Sequence, residues 1–291
     1  MLDAPLDPSR PLLDEVRRVA DELLGDAELR LRLPGSSGFD KAVHESRKRI
    51  KEVRSLLRFL QFSLVDAQNG LIRPALNATL RETSHLIGDA REAAVAIETL
   101  DSLDIADAST FRAFLVARHQ NVLAGDIADA STDASTRLAL IRGEITGWQL
   151  TSDGWDAFAP GLKKVYKQGR DAMAEAVDSH GDAECWHDWR KRAKDLRYAA
   201  EFLRNGAPHV LGGLAALGKE LTDALGDDHD LAELAILARD QDASHVAETA
   251  EQARFAKQAA ARQFGQRAYA EKPSDFVRRL GTYWHSDWTS P

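Results

Sequence analysis

Two stretches of this 291-residue chain place a histidine and a run of cations at helical spacing. At 100° per residue, His44, Arg47, Lys48, Lys51, Arg54 and Arg58 fall within about a 120° arc. His187, Arg190, Lys191, Lys194 and Arg197 form the same arc further along. Such side chains recognise anions, because Arg forks grip phosphate oxygens in pairs and Lys supplies point charges. From His44 to Arg58 the stripe runs roughly 21 Å, which suits a repeating, flexible polyanion. Cations in a row repel one another unless anions are interposed. The nearby acids Glu45 and Glu52 point off the arc, whereas a solvated charge face normally mixes signs. Arg49 and Arg192 also lie off the arc and are expected at packing edges or in surface pairs. Lys163, Lys164, Lys167 and Arg170 form a third cluster beside Tyr166, read as a wall of the same binding surface.

These side chains need helices to carry them, and nearly every segment reads as helix. Apolar residues recur at three and four, and alternating runs of strand length are scarce. Helices are predicted near 10–31, 39–64, 71–101, 108–142, 155–178, 183–204, 208–239 and 243–270, with a short one near 273–284. Pro34 to Gly38 reads as a loop, with Asp40 as a nearby N-cap. Pro74, Pro160, Pro208 and Pro273 each suit a first helical turn, which tolerates a missing N–H. The stretch 124–137 reads equally as helix or break. Behind the first stripe, Val43, Ile50, Val53, Leu57 and Leu60 face a core; behind the second, Ala193, Leu196, Ala200 and Leu203 do.

The stripes are two copies of one motif. Residues 44–60 align without gaps on 187–203 and are identical at eight of seventeen positions. A second pair follows in the same order, Leu86-Ile87-Gly88-Asp89-Ala90-Arg91-Glu92 against Ala224-Leu225-Gly226-Asp227-Asp228-His229-Asp230. Recurrence in order implies duplicated four-helix units, about 8–145 and 153–288, forming one all-α domain over 8–288.

The chain is acidic overall, with a net charge of −8, yet residues 41–58, 163–170 and 187–197 carry +5, +4 and +3. That segregation favours local anion recognition over general coating of polyanions. A single cysteine, Cys185, excludes an internal disulfide and a Cys-based zinc site. No secretory signal and no apolar run of roughly 18 residues is present, so a soluble cytoplasmic protein with no membrane partner is expected. Single-stranded nucleic acid would need aromatics among the cations for stacking. Trp186 and Trp189 qualify, but the first stripe has no aromatic counterpart, so nucleic acid is the weaker ligand.

At these residues the sequence resembles the CHAD family, the conserved-histidine α-helical domain. The resemblance rests on His44-x-x-Arg-Lys-Arg-x-Lys-x-x-Arg, its copy from His187, and the Leu-Gly-x-x-His-Asp pattern at 225–230. It implies two four-helix bundles related by a pseudo-twofold axis with a basic pocket between them. It also implies inorganic polyphosphate as ligand and association with polyphosphate granules. The implied contacts are Arg47, Lys48, Lys51, Arg54, Arg190, Lys191, Lys194 and Arg197, with His44 and His187 beside them. Arg58 departs from the pattern, since its repeat partner is Glu201. The Glu-x-Glu-x-Lys strand of a triphosphatase module carried by many relatives is expected to be absent, because no two Glu are separated by one residue.

The reading is therefore a non-enzymatic polyphosphate binder without cofactor or metal. Two alternatives stand beside it: a phosphohydrolase or enzyme accessory using the histidines as acid–base groups, and a helical scaffold for nucleic acid or protein. Gly213 to Glu220 fits G-x-x-x-x-G-K without the Ser or Thr that holds Mg²⁺, and reads as helix packing. Asp227 to Asp230 reads as structural hydrogen bonding to the basic helices. A metal shared by His44 and His187 ranks below phosphate contact. Gly88 and Gly226 are expected to permit close helix approach, and Trp284 and Trp288 to anchor the C-terminal segment.

Overall fold

The computed structural model describes residues 5–32, 38–68, 70–124 and 127–287, with side chains throughout these except at 40, 89–91, 124, 127 and 285–287. The architecture is all-α. Helix α1 (Leu12–Arg32) is followed by α2 (Phe39–Phe59), α3 (Arg73–Leu86), α4 (Gly88–Ser102), α5 (Ser109–Ala124) and α6 (Ile127–Glu144). Next come α7 (Gly154–Asp178), α8 (Ala183–Phe202), α9 (Pro208–Asp240), α10 (Ser244–Ala268) and α11 (Pro273–Asp287). A small antiparallel ladder joins β1 (Leu64–Val65) to β2 (Gln149–Leu150), with Leu64 opposite Leu150.

The apolar positions expected behind both stripes are buried, Ile50, Val53, Leu57 and Leu60 completely so. Burying such a side chain contributes roughly 1.5–3 kcal/mol, which is what holds each stripe in place. The core does not divide at the repeat boundary. One cluster runs from Leu6 to Trp284 through α1, α2, α7, α8 and the first half of α9. A second joins Leu100, Phe111 and Leu115 to Leu234, Ala235 and Val246, again mixing the two halves. The N-terminal segment is tied across as well, since the Leu6 N–H donates to the Phe202 carbonyl at 3.0 Å.

Several expectations need correction. The predicted helix 71–101 is two helices, broken at Ile87, where the backbone leaves helical geometry. Its counterpart α9 runs unbroken for 33 residues. Asp40 lies inside α2, whose N-cap is Gly38, and the Asp40 side chain lies outside the described residues. Of the loop from Pro34 only Gly38 is described. The ambiguous stretch 124–137 is mostly α6; residues 125 and 126 lie outside the described set. Pro74, Pro208 and Pro273 open their helices, but Pro160 sits inside α7, which starts at Gly154. There α7 crosses the end of α2: any Cβ at Gly161 would overlap the Phe59 carbonyl, so the helices touch backbone to backbone. Trp284 packs on Trp155 and Phe158 at 5.8 and 5.3 Å between ring centroids, while Trp288 lies outside the described residues.

Candidate functional site: a cationic seam between α2 and α8

Helices α2 and α8 pack against each other, which turns their stripes toward one seam. Lys51 and Lys194, equivalent in the two repeats, face each other there. Neither amine has an ion pair or hydrogen bond to a described residue. Burial pushes the Lys51 ammonium down to about 8, with Arg47, Arg190 and Arg54 adding repulsion. Lys194 is held well below the usual lysine range by burial, then by Arg190 and Lys51. Asp230 of α9 is the chief opposing charge on both. Desolvation and like charge both favour the neutral amine, and among the described residues cations outnumber acids around the pair.

The arginines are fixed from behind. Arg47 donates to the Ser84 carbonyl at 2.7 Å and lies 3.9 Å from Glu92. Arg190 lies 3.9 Å from Asp230, and its Nε is buried without a partner. Glu92 and Asp230 occupy the same place in the second repeated motif, so that motif supplies the acid beside each repeated arginine. Gly88 makes room for the Arg47 guanidinium, which would lie 2.6 Å from a Cβ there; at Gly226 Arg190 would be 3.7 Å away, an ordinary contact. The expected close helix approach at these glycines is therefore room for an arginine at one and nothing demanding at the other. Arg54 donates to Asn77 at 3.0 Å. Arg197 donates to Glu201 at 2.8 Å and to Thr222 at 3.2 Å.

The rim is more exposed. Lys191 pairs with Asp188 at 2.7 Å, and Lys48 lies 3.9 Å from Glu45. Glu45 is also 3.9 Å from His44, so it does not point away from the stripe as expected. His187 packs against His229 of α9 with the rings tilted, 4.1 Å between centroids. Burial, then Lys191 and Arg190, lowers His187 to about 4; burial, Arg190 and His187 lower His229 to about 3. Both imidazoles are neutral at pH 7, each offering one N–H donor and one acceptor nitrogen.

Some expected site residues are not brought into the seam. Arg58 is committed to an ion pair with Asp195 of α8, which also accepts from the Ser55 hydroxyl at 3.0 Å. The α7 cluster looks elsewhere. Lys164 reaches Gln61 at 3.2 Å and lies over the Phe62 ring, Lys167 pairs with Asp171, and Arg170 donates to the Glu271 carbonyl. Lys163 is exposed on the same helix, and the principal charges acting on Lys51 and Lys194 come from α2, α8 and α9. The cluster is thus a separate surface, not a wall of the seam. Trp186 and Trp189 are buried, 5.4 Å apart, and cannot stack on a ligand.

Arg49 is buried between Asp26 at 2.8 Å and Glu52 at 3.1 Å, the packing role expected of an off-arc cation. Asp228 bonds Arg254 and Gln258, and Asp227 pairs with Lys257, so these acids serve α10 rather than the basic helices. The Gly213–Glu220 run lies within α9, with Lys219 paired to Asp223. Among the described residues no group of three or more His, Cys, Asp or Glu is placed to hold a metal ion. No described helix is long and apolar enough to cross a membrane.

Sequence reasoning missed Arg73 and Arg81 on α3. Both repel Arg54, and Arg73 also feels Arg58 and Arg192, so a further helix adds positive charge at one end of the seam. The signal was the four-residue spacing of Arg73, Asn77 and Arg81, which puts all three on one face beside Arg54.

The fold and this seam define an all-helical protein in which two copies of one basic helix meet along their charged faces. A family model for the CHAD domain matches residues 35–239, and the chain belongs to that family. Among solved structures it is similar to the crystal structure of the CHAD domain from the plant Ricinus communis. That likeness has a TM-score of 0.55 at 20% identity and covers 98% of this chain and 96% of that one. The curated proteins gave no significant match.

Proposed function

We propose that the chain is a non-enzymatic binder of inorganic polyphosphate, held along the seam between α2 and α8 by cations from both repeats. The observation that carries this reading is the juxtaposition of Lys51 and Lys194 among Arg47, Arg54, Arg190 and Arg197, with Asp230 as the chief opposing charge. An entering polyanion supplies the missing negative charge and lets both amines protonate. A line of phosphates also suits a seam whose polar groups are guanidinium, ammonium and neutral imidazole N–H donors. Burial of Trp186 and Trp189 weighs against nucleic acid, since neither indole is available beside the cations as a stacking platform.

The pairing of α2 with α8 supports a pseudo-twofold relation within one domain spanning about 8–288. Adding or subtracting 143 carries the Ser55–Asp195 contact onto Tyr198 and Glu52, and Glu52 does act on Tyr198. The same operation exchanges Lys51 with Lys194. In the cell, such a binder would sit in the cytoplasm on polyphosphate granules.

Titration with polyphosphate, single-stranded DNA and RNA at one ionic strength tests the ligand. Polyphosphate should bind best, with log affinity falling against log salt by roughly 0.7 per phosphate neutralised, as for single-stranded nucleic acids. Equal affinity for all three would reject a polyphosphate-shaped site. Release of phosphate during incubation with polyphosphate and Mg²⁺ would reject the non-enzymatic reading.

A further inference from the structure

Helix α7 meets the end of α10 closely at two points. A methyl at Gly169 would overlap the ring of Tyr269, which follows α10, and one at Gly265 would overlap the Trp189 ring and lie 2.8 Å from the Met173 sulfur. Just past the other end of α7, the Gly181 carbonyl accepts from Arg254 of α10 at 3.2 Å. Between these closures lies a groove of about 280 Å³, lined by Met173, Ala174, Val177 and Asp178 of α7 and by Arg262 and Gln266 of α10. Ala174, Asp178 and Gln266 are exposed, so the groove opens to solvent. Arg262 lies over the Trp186 ring, 5.6 Å from its centroid, and its Nε is buried with no partner. Neither Arg262 nor Asp178 forms an ion pair with a described residue, and they do not pair with each other although they line one groove. Asp178 is also the last residue of α7, where the partial negative charge of the helix end adds to its own and favours a cation. The rest of the α7 wall is apolar.

We propose that this groove binds a small zwitterion with an apolar body, an α-amino acid such as leucine. The ligand carboxylate takes the Arg262 guanidinium, whose fork matches two oxygens. The ligand ammonium takes the Asp178 carboxylate, and the aliphatic side chain lies on Met173 and Val177. A simple carboxylate would meet the like charge of Asp178, and a simple amine that of Arg262; a molecule carrying both charges satisfies both. Gln266 adds an amide that can bond either end. Pockets for drug-sized ligands run to about 300–1,000 Å³, so this groove suits a smaller molecule. The flexible Met173 thioether adapts to more than one aliphatic shape, which makes the ligand a class of apolar amino acids and not a single one. The site is separate from the seam: Trp186 faces α10 from α8, whereas the adjoining His187 packs on His229 of α9. The proposal therefore does not depend on polyphosphate as ligand of the seam.

The test titrates the full chain with L-leucine, with isocaproate, which is leucine without its ammonium, and with isoamylamine, which is leucine without its carboxylate. Binding is followed by ligand-detected nuclear magnetic resonance. Leucine should bind saturably with a Kd of about 1 mM or below. Each truncated ligand should bind at least about tenfold more weakly, the scale of one charge-assisted contact. Asp178→Asn, at an exposed position, should keep the fold and weaken leucine about tenfold without weakening isocaproate. Arg262→Met keeps an apolar stem over Trp186 and should weaken leucine by about tenfold or more. Absence of saturable leucine binding up to about 10 mM overturns the proposal. So does isocaproate binding as tightly as leucine, or wild-type leucine affinity in Asp178→Asn, a result that stands whether or not Arg262→Met folds.

Discussion

Phe59 and Phe202, the same aromatic residue in the two repeats, meet across the seam with 5.7 Å between ring centroids. Eight residues earlier on each helix, about 12 Å away along the axis, Lys51 and Lys194 face each other. The contact between α2 and α8 therefore brings like onto like at both levels. For the phenylalanines that is favourable, since tilted aromatic pairs are worth about 0.5–1.5 kcal/mol beyond the area they bury. For the lysines it is unfavourable. The apolar end of the motif holds together what the charged end pushes apart, and an anion removes the conflict.

Neutralising either central lysine should separate binding from folding. Lys51→Gln and Lys194→Gln should each weaken polyphosphate binding about 10- to 100-fold, the scale of one charge-assisted contact at about 1.5–3 kcal/mol. Each should leave the helical signal unchanged and raise the unliganded melting temperature slightly. Arg278→Gln, on an outward-facing residue of α11 paired with nearby Asp275, is the matched charge control and should change affinity far less. Arg49→Glu is not usable as a control, because it would bury a third acid beside Asp26 and Glu52.

The lysines also set a pH dependence with a definite sign. Both pKa values are depressed in the folded, unliganded protein, so the unfolded chain binds more protons up to the ordinary lysine value near 10.4, from about 8 for Lys51 and from lower pH for Lys194. Unliganded stability contributed by this pair should rise with pH across that window. Polyphosphate affinity should do the reverse and fall as pH rises through 8, because the ligand needs both amines charged. Calorimetric titration at pH 8 in buffers of different ionisation enthalpy should show net proton uptake on binding. No proton uptake, or an affinity flat from pH 7 to 9, would contradict this.

Much of this arrangement was legible in the sequence. The repeated stripes and the apolar residues behind them followed from spacing alone, since a helix fixes which residues share a face. What spacing cannot show is who stands opposite. Arg58 looked like the end of the stripe, but its partner Asp195 lies 137 residues away on the other repeat. Trp186 and Trp189 flank the cations in sequence yet point into the core. The break at Ile87 was hidden for a different reason: Leu-Gly at 225–226 stays helical in α9, so local composition does not decide between break and continuation. Pro160 was misplaced because the same residue serves a first turn or, as here, the interior of a helix that begins six residues earlier.

The Arg58–Asp195 pair should be structural and not part of the ligand site. Both side chains are largely buried, and removing one partner strands the other charge. Asp195→Ala should therefore cost about 3–5 kcal/mol in denaturant unfolding. Arg58→Gln should leave polyphosphate affinity within about twofold of wild type. A tenfold loss of affinity in a stably folded Arg58→Gln protein would return Arg58 to the binding surface.

Gly88 and Gly226 are equivalent in sequence but should respond differently to the same change. Alanine at 226 adds an ordinary contact with Arg190 inside a long helix, where replacing Gly gains up to about 1 kcal/mol. Gly226→Ala should be slightly stabilised and bind polyphosphate normally. At 88 the new methyl would occupy the space of the Arg47 guanidinium. Because that group is the mobile end of a long side chain, the helix can keep its place while the arginine moves. The Ser84 and Glu92 contacts that aim Arg47 would then be lost, and Gly88→Ala should keep its fold but bind polyphosphate several-fold more weakly. Equal affinity in the two alanine variants would mean that the aim of Arg47 does not matter to the ligand.

The last expectation concerns cooperativity. The Leu6–Phe202 tie, the Phe59–Phe202 contact and the main core all cross from one repeat to the other, and so does the second cluster. Neither repeat can bury its apolar faces alone, so heat should unfold the chain in one transition and not one per repeat. Leu234→Ala probes this from the far end. Leu234 is fully buried in the second cluster, away from the seam, and its truncation should cost about 2–5 kcal/mol. Because α9 runs unbroken from that cluster into the main core, the loss should lower the whole transition without splitting it. Calorimetry of wild type and variant, followed in parallel by tryptophan fluorescence from the main core, distinguishes the cases. Coincident shifts in both signals support a single unit; a fluorescence midpoint that stays put while heat absorption splits would show two.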